Sequence, residues 1–264
     1  MIRFTIATVC YQAEQTIERT LRSVADQDYA AIEHLIIDGA STDATLVLVK
    51  KYLPNNQEGI AAHEGGISSP HLRLISEPDK GLYDAMNKAL RWAQGDYILF
   101  LNAGDTFHRN DTLSSIAAQL DKQKLPAILY GDTDLVDTMG VFLRHRRLSP
   151  PERLTWKDFR AGMLVCHQSF FVRCDLARTQ PYDLRYRFSA DYDWCIRLLR
   201  QAEQQNLPLH NTHLIVSNYL AEGMTTRHHR ASLLERLRIM AVHYGWPRAI
   251  AQHLWFVVRA FWKK

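Results

Sequence analysis

The sequence predicts an α/β fold, with a mostly parallel central sheet flanked by helices and a helical extension at the C-terminus. Three observations lead there. Over residues 1–110, short β-rich runs alternate with segments of helical spacing, the pattern of a parallel, doubly wound sheet. Two of those runs end in Asp-containing turns of small residues, at the strand ends where such sheets bind ligands. The second half is less regular and finishes in two helical segments.

Arg3–Val9 is a short β-rich run, and Gln15–Gln27 follows with Ile17, Leu21 and Val24 at helical spacing. His34–Ile37 is a second strand, ending in Asp38-Gly39-Ala40-Ser41. Ser41-Thr42-Asp43 supplies capping-type residues, and Ala44–Leu53 continues as a helix. Pro54–Pro70 is polar and Gly-rich, a surface loop. Leu72–Ser76 is a third strand, and Gly81–Gln94 a helix with Leu82, Ala85, Met86, Ala89 and Leu90 on one face. Gly95-Asp96 turns the chain into the apolar strand Tyr97–Leu101. Beyond it, Ala127–Tyr130, Val141–Arg146, Ser169–Val172 and His213–Asn218 read as strands. Ala190–Gln204, Ala231–Tyr244 and Pro247–Trp262 read as helices.

The chain has 264 residues, 47% hydrophobic and 23% charged, enough for a buried core and unlike collagen, low-complexity or coiled-coil compositions. The first apolar run breaks at Tyr11-Gln12-Ala13-Glu14, as a buried strand does and a signal peptide does not. No stretch reaches the ~20 apolar residues of a membrane span, so a cytoplasmic location is expected. The 4 cysteines include no C-x-x-C pair, which argues against zinc ribbons and thioredoxin-like chemistry and for buried, reduced thiols. The net charge of +4 conceals an asymmetry: residues 1–139 carry 12 Lys/Arg against 19 Asp/Glu, and residues 140–264 carry 20 against 9. A basic C-terminal half suits phosphates or an anionic surface. Nucleic acid is not expected as a partner, because no binding motif accompanies that charge and the N-terminal half is acidic.

Two motifs carry chemistry. Asp38–Asp43 follows the second strand, where a carboxylate can accept hydrogen bonds from a base or ribose while small residues admit the ligand close to the backbone. A plain strand-to-helix turn with an Asp cap has the same composition. Leu101-Asn102-Ala103-Gly104-Asp105 follows the apolar strand; a hard cation wants oxygen ligands and commonly shares them with a diphosphate.

Three stretches, ATVCYQAEQTIERTLRSVADQDY, HLIIDGASTDAT and SEPDKGLYDAMNKALRWAQGDYILFLNAGD, resemble in order and spacing the bacterial family 2 glycosyltransferases of GT-A fold. The match spans roughly residues 3–110 and continues more weakly through HQSFF and SADYDWCIRL. Within the family, SEPDKGLYDAMNKAL is most similar to enzymes of exopolysaccharide assembly, in particular the colanic-acid type.

The resemblance implies a nucleotide-sugar donor, a UDP-sugar before a GDP-sugar, with Mg²⁺ or Mn²⁺ as cofactor. It sets Glu14 near the base or ribose, Asp38 as the nucleotide-binding carboxylate, and Asp43 in the same loop, where a cap suits it equally. Asn102, Gly104 and Asp105 correspond to the family's metal-binding D-x-D element, with Asp105 contacting the metal. Asn102 stands where many members have Asp, which removes a negative charge near the diphosphate and leaves the strictness of the metal requirement open. Lys80, at a helix start favourable to anions, could reach phosphate. Asp84 and Asn87 lie on one face of the helix that lines the donor site in the family. Asp191 corresponds to the general base, with Asp193 the alternative; Ala190 stands where many members have Glu. His167-Gln168 corresponds to an acceptor-side wall. Arg227, His228 or His229 could touch the diphosphate.

The expected reaction is an inverting transfer to a lipid-linked or growing oligosaccharide in exopolysaccharide biosynthesis. The expected division is a transferase domain over residues 1–225, with nucleotide-sugar-binding (1–110) and acceptor-binding (111–225) halves, and an extension over 226–264. The aromatic, basic stretch 247–264 suits the cytoplasmic face of an inner membrane, and equally a helix packed on its own domain. Two alternatives stand beside this reading. Asn102 and Ala190 would also suit a degenerate transferase kept as a scaffold. A sugar-phosphate nucleotidyltransferase would carry a Gly-rich basic loop after the first strand, where this chain has Tyr11-Gln12-Ala13-Glu14.

Overall fold

Strands β1 (Phe4–Cys10) and β2 (Ile32–Asp38) are buried along their whole length. A strand without an exposed face belongs in the middle of a parallel sheet covered on both sides. β1 accordingly pairs in parallel with β2 and with β4 (Tyr97–Phe100), and β2 with β3 (Leu72–Ser76). Helices α1 (Ile17–Ala25), α2 (Thr45–Lys50) and α3 (Leu82–Trp92) make the crossovers. The structure, a computed structural model, describes residues 1–53, 71–221 and 229–261, without the side chains of 229–230 and 257–261. The expected loop at 54–70 lies outside the described residues.

The second half turns the sheet mixed. β5 (Thr106–Phe107), β6 (Ile128–Val136), β7 (Phe142–His145), β8 (Phe170–Arg173) and β9 (Leu209–Leu220) extend it to the order β3-β2-β1-β4-β8-β6-β9-β5, with β7 on β6. β8 is antiparallel to β4 and β6, β7 to β6 and β5 to β9, while β6 and β9 are parallel. The expectation of a mostly parallel sheet therefore holds for the first half only. The β6–β7 connection shows why: Asp137 Oδ1 accepts the Met139 and Val141 N–H groups, each at 2.9 Å. So tight a turn makes an antiparallel hairpin, since a parallel return needs about a dozen residues. β6 also runs past its expected end at Tyr130. A Cβ on Gly131 would lie 2.5 Å from the Leu214 carbonyl oxygen, so glycine is what admits β9 at that distance.

Helices α6 (Ala190–Gln204), α7 (His229–Tyr244) and α8 (Trp246–Phe261) correspond to helices expected from the sequence; α4 (Thr112–Ala118) and α5 (Cys174–Thr179) are too short to show a period. α3, α6 and the last two helices share one core. Tyr83, Tyr182 and Trp194 stack in series, with ring centroids 5.5 and 4.7 Å apart, and Phe100 meets Trp194 edge-on. Ile239, Met240, Tyr244 and Ala249 join the same cluster, so α7 and α8 pack into the domain.

β2 buries two ionisable side chains. Glu33 accepts hydrogen bonds from Thr5 Oγ1 (2.6 Å), Arg73 (2.7 Å) and the Gln94 N–H (2.7 Å), tying three strands to the α3–β4 turn. His34 has one contact, Thr8 Oγ1 at 3.0 Å, and its Nδ1 has no partner. Burial pushes its imidazole down to about 3, so the folded state holds it neutral while the unfolded chain protonates near 6.5. Between those values the unfolded state binds the extra proton, and stability falls as pH falls. Asp105, raised by burial to about 6, works in the opposite sense between its unfolded value and 6, so the His34 contribution is read by difference. Relative to a His34→Leu variant, the wild type should lose about 1.4 kcal/mol of unfolding free energy per pH unit below 6.5. Urea melts of both proteins at pH 7, 6 and 5 check this; parallel stability curves would mean that His34 is not held neutral.

Candidate active site

The turns after β1, β2 and β3 converge at the carboxyl edge of the sheet. Gln12 and Ala40 adopt left-handed φ values of 49° and 62°. A Cβ on Gly39 would lie 2.6 Å from Asp79 Oδ2 and 3.3 Å from the Tyr11 ring, so the absence of a side chain lets the three turns meet. Asp38 forms the floor, fully buried. Its carboxylate accepts the Ser41 N–H (2.9 Å) and hydroxyl (2.5 Å), the Ser76 hydroxyl (2.7 Å) and the Cys10 thiol (3.7 Å). It thus organises the crevice from beneath.

Glu14 and Asp43 stitch two loops together. Glu14 Oε2 accepts the Ala44 N–H at 2.9 Å, and Asp43 accepts the N–H groups of Glu14 (3.1 Å) and Thr45 (3.0 Å). Partial desolvation opposes ionisation of Asp43, but the hydrogen bonds from Thr45 and Glu14 outweigh it and hold the carboxyl below its usual value. These are the bonds of a helix-start cap. At the start of α3, Asp79 Oδ1 accepts the Gly81 N–H (2.7 Å) and Asp84 Oδ2 the Lys80 N–H (3.0 Å), leaving the Lys80 side chain exposed. Asn87 turns inward: its amide donates to the Tyr182 carbonyl (3.0 Å) and accepts the Tyr182 N–H (2.7 Å), which positions the aromatic stack.

The loop after β4 is held from several sides. Thr20 Oγ1 accepts the Gly104 N–H (2.9 Å) and donates to the Asp105 carbonyl (2.7 Å). The Asp105 carboxylate accepts the Leu220 N–H and Gln168 Nε2, both at 2.9 Å. Burial nevertheless raises it to about 6, against the pull of those two donors. Asn102 Oδ1 is buried without a partner. A raised carboxylate and an orphaned carbonyl oxygen in one loop fit a hard divalent cation, which would supply charge to the first and a bond to the second. Among the described residues no cluster of three or more His, Cys, Asp or Glu side chains surrounds the loop; a hard cation commonly shares its coordination with a diphosphate and water.

Asp191, at the start of α6, faces this loop through His167. Its Oδ2 lies 3.3 Å from His167 Nδ1, and His167 Nε2 lies 3.2 Å from Asn102 Nδ2. One tautomer satisfies both contacts: Nδ1–H donates to Asp191, and Nε2 accepts from Asn102. Asp191 Oδ1 accepts the Tyr83 hydroxyl at 3.0 Å. Burial disfavours its charge, but His167, Arg236 and the Tyr83 hydroxyl outweigh burial and hold it below the ordinary Asp value, an ionised acceptor for a proton. Asp193, the alternative, is differently placed. Its oxygens are taken by His243 Nε2 (2.7 Å) and Arg197 Nε (2.6 Å) in a buried link between α6 and α7.

Sequence reasoning missed Tyr83 and Arg236, and it named Gln168 for an acceptor-side wall without its contact to Asp105. The 3-10 turn His167–Ser169 aims His167 at Asp191 and Gln168 at Asp105, and no periodicity signals such a split. Arg227 and His228 lie outside the described residues, as does the His229 side chain. A cavity of about 740 Å³ opens beside His167, Gln168 and Asp191, lined by residues of the β6–β7 hairpin, α6, α7 and α8.

Known proteins share this fold. The profile described as Glycosyl transferase family 2 matches residues 5–179. A PGL/p-HBAD biosynthesis glycosyltransferase of Mycobacterium tuberculosis is 31% identical over 217 residues, 82% of this chain and 76% of the relative. Staphylococcus aureus TarS 1-349 in complex with UDP-GlcNAc is similar in structure, with a TM-score of 0.66 and 18% identity, covering 91% of this chain; the chain spans 65% of that one. The mannosyltransferase PcManGT from Pyrobaculum calidifontis, in complex with GDP-Man and Mn²⁺, gives a TM-score of 0.58 at 17% identity, covering 95% of this chain and 74% of its own. At such identities the structures establish the GT-A type fold. The profile covers more than half of the sequence, and with the mycobacterial relative it shows that the chain is a glycosyltransferase and belongs to glycosyl transferase family 2.

Proposed function

We propose that the chain transfers a sugar, with inversion, from a nucleoside diphosphate donor to a hydroxyl of a saccharide acceptor. The observation that supports this most is Asp191: an ionised carboxylate between His167 and Tyr83, on the wall of the 740 Å³ cavity and one imidazole away from the β4 loop. The donor's base and ribose lie in the crevice above Asp38, beside the Glu14–Asp43 stitch, and its diphosphate lies towards Lys80 and the Asn102–Asp105 loop. Asp84 and Asn87 shape the wall indirectly, one by capping α3 and the other by fixing Tyr182.

In the reaction, Asp191 takes the proton of the acceptor hydroxyl as its oxygen bonds to the anomeric carbon. The bond from that carbon to the diphosphate oxygen breaks on the opposite face, and the electron pair leaves with the nucleoside diphosphate. Tyr83 and His167 keep the carboxylate aimed. A bound Mg²⁺ or Mn²⁺, held by Asp105 and Asn102, would stabilise the charge on the departing diphosphate. UDP is favoured as the nucleotide because TarS, of similar fold, is in complex with UDP-GlcNAc. The exopolysaccharide setting and the lipid-linked acceptor rest on the sequence resemblance. Trp246, Ile250, Leu254 and Trp255 leave an apolar face of α8 exposed, which supports contact with a membrane surface. No helix among the described residues is long and apolar enough to cross one.

Asp191→Asn should lower turnover by about 10²-fold or more while leaving the UDP dissociation constant close to that of the wild type; retained turnover would remove Asp191 from the mechanism. In a thermal-shift titration, UDP with Mn²⁺ should stabilise the wild type by about 3 kcal/mol at a hundredfold excess over Kd. Asn102→Asp should tighten the Mn²⁺ dependence, and an unchanged Mn²⁺ midpoint would place the cation elsewhere. Replacing Trp246, Leu254 and Trp255 together by Ser, which leaves the core residue Ala249 in place, should abolish sedimentation with phosphatidylglycerol vesicles. Equal sedimentation of both proteins would show that α8 is not the contact.

A further inference from the structure

The cavity beside Asp191 is basic. Among the described residues, Arg144, Arg146, Arg147 and Arg236 line it, against the single carboxylate of Asp191. The four are not equivalent. Arg146 is committed to main-chain carbonyls, those of Leu148 (3.1 Å), Leu164 (2.8 Å) and Met163, and holds the cavity floor. Arg144 and Arg147 lie exposed at its mouth. Arg236 is different in kind: its Nε is buried without a hydrogen-bond partner, and its guanidinium faces the Tyr192 ring with Cζ 5.9 Å from the centroid. The preceding residue fixes its direction, because Glu235 accepts the N–H groups of Arg187, Phe188 and Ser189 at 2.7 to 3.0 Å and so clamps α7 to the start of α6.

A guanidinium held by its face keeps its edge for a ligand. Nε–H and the neighbouring Nη–H form the side of the fork that binds phosphate through two parallel hydrogen bonds. Leaving a desolvated donor unpaired is costly, which is reason to look for the anion that pairs it. Among the described residues, the lining of the cavity includes none of Asp38, Lys80, Asp84, Asn102 and Asp105, and the cavity meets the donor side at His167, Gln168, Asp191, Tyr219 and Ala221. The rest of the wall includes Leu148, Met163, Leu233 and Met240, which suits an alkyl chain.

We infer that Arg236, with Arg144 and Arg147 at the mouth, binds a phosphate group of the acceptor, and that the acceptor is a phosphate-bearing amphiphile whose sugar hydroxyl reaches Asp191. The inference rests on the reading of the cavity as the acceptor site, and it makes Arg236 a determinant of acceptor specificity.

Isothermal titration of octyl phosphate into the full chain saturated with UDP and Mn²⁺, with octyl glucoside as the uncharged counterpart, tests it. Octyl phosphate should bind more tightly than octyl glucoside. Arg236→Gln should weaken octyl phosphate by about tenfold, the order of one charge-assisted pair, and leave octyl glucoside unchanged. Arg236→Lys should recover part of the loss, and its melting temperature reports whether the substitution disturbs the fold. Equal binding of octyl phosphate to wild type and Arg236→Gln overturns the inference. So does a tenfold loss of UDP affinity in Arg236→Gln with octyl phosphate unaffected, which would assign Arg236 to the donor. The titration needs no turnover, so it stands or falls apart from the role of Asp191 as base; Asp191→Asn should bind octyl phosphate at least as tightly as the wild type.

Discussion

The Asp105 carboxylate accepts the Leu220 N–H and Gln168 Nε2, while its own carbonyl accepts the Thr20 hydroxyl. Through these bonds the loop after β4, the end of β9, the 3-10 turn at residues 167–169 and helix α1 meet at one buried group. With the Asn102–His167 contact it fixes the loop after β4 against the turn that carries His167. The cost is visible in the same residue: burial raises the carboxyl towards 6, which hydrogen bonds from neutral donors only partly offset. A site that is under-compensated in this way gains from a cation, so its structural and ligand-binding roles share one physical origin.

From that anchor the site divides into two regions of opposite charge. The crevice at the strand ends is built from the acidic first half, where Glu14, Asp38, Asp43, Asp79 and Asp84 mostly bind backbone amides and hydroxyls and shape turns. The cavity is built from the basic second half, where arginines line it. Asp191 lies on the boundary. It is ionised because His167, Arg236 and Tyr83 stabilise its charge more than burial opposes it. The charge asymmetry between the halves of the sequence thus corresponds to carboxylates around the crevice at the strand ends and arginines around the cavity.

The first half of the fold could be read in the sequence because parallel strands buried on both faces are continuous apolar runs, and crossover helices show their period. Leu72–Ser76 and Ala190–Gln204 have the bounds their patterns suggest. The second half resisted because its strands pair over long range. β6 continues through Gly131-Asp132 only because β9 packs against a residue without a side chain, and β5 is two residues held by β9. Asp38, Asn102, Asp105 and Asp191 were expected as site residues from the resemblance, and so was Asn87, whose hydrogen bonds to Tyr182 no helical-face argument could show.

What the sequence determined by itself is therefore local and periodic: the alternating elements of the nucleotide-binding half, the family, and the carboxylates at strand ends. Periodicity reports the burial of a face, and strand ends report topology, so both survive in one dimension. Tertiary structure decided which polar atoms meet. His167 lies between Asp191 and Asn102, Gln168 reaches Asp105, and the Nε of Arg236 is left without a partner beside the cavity. These contacts join residues far apart in the chain, and their strength depends on distance, angle and desolvation, quantities that exist only once the chain has folded.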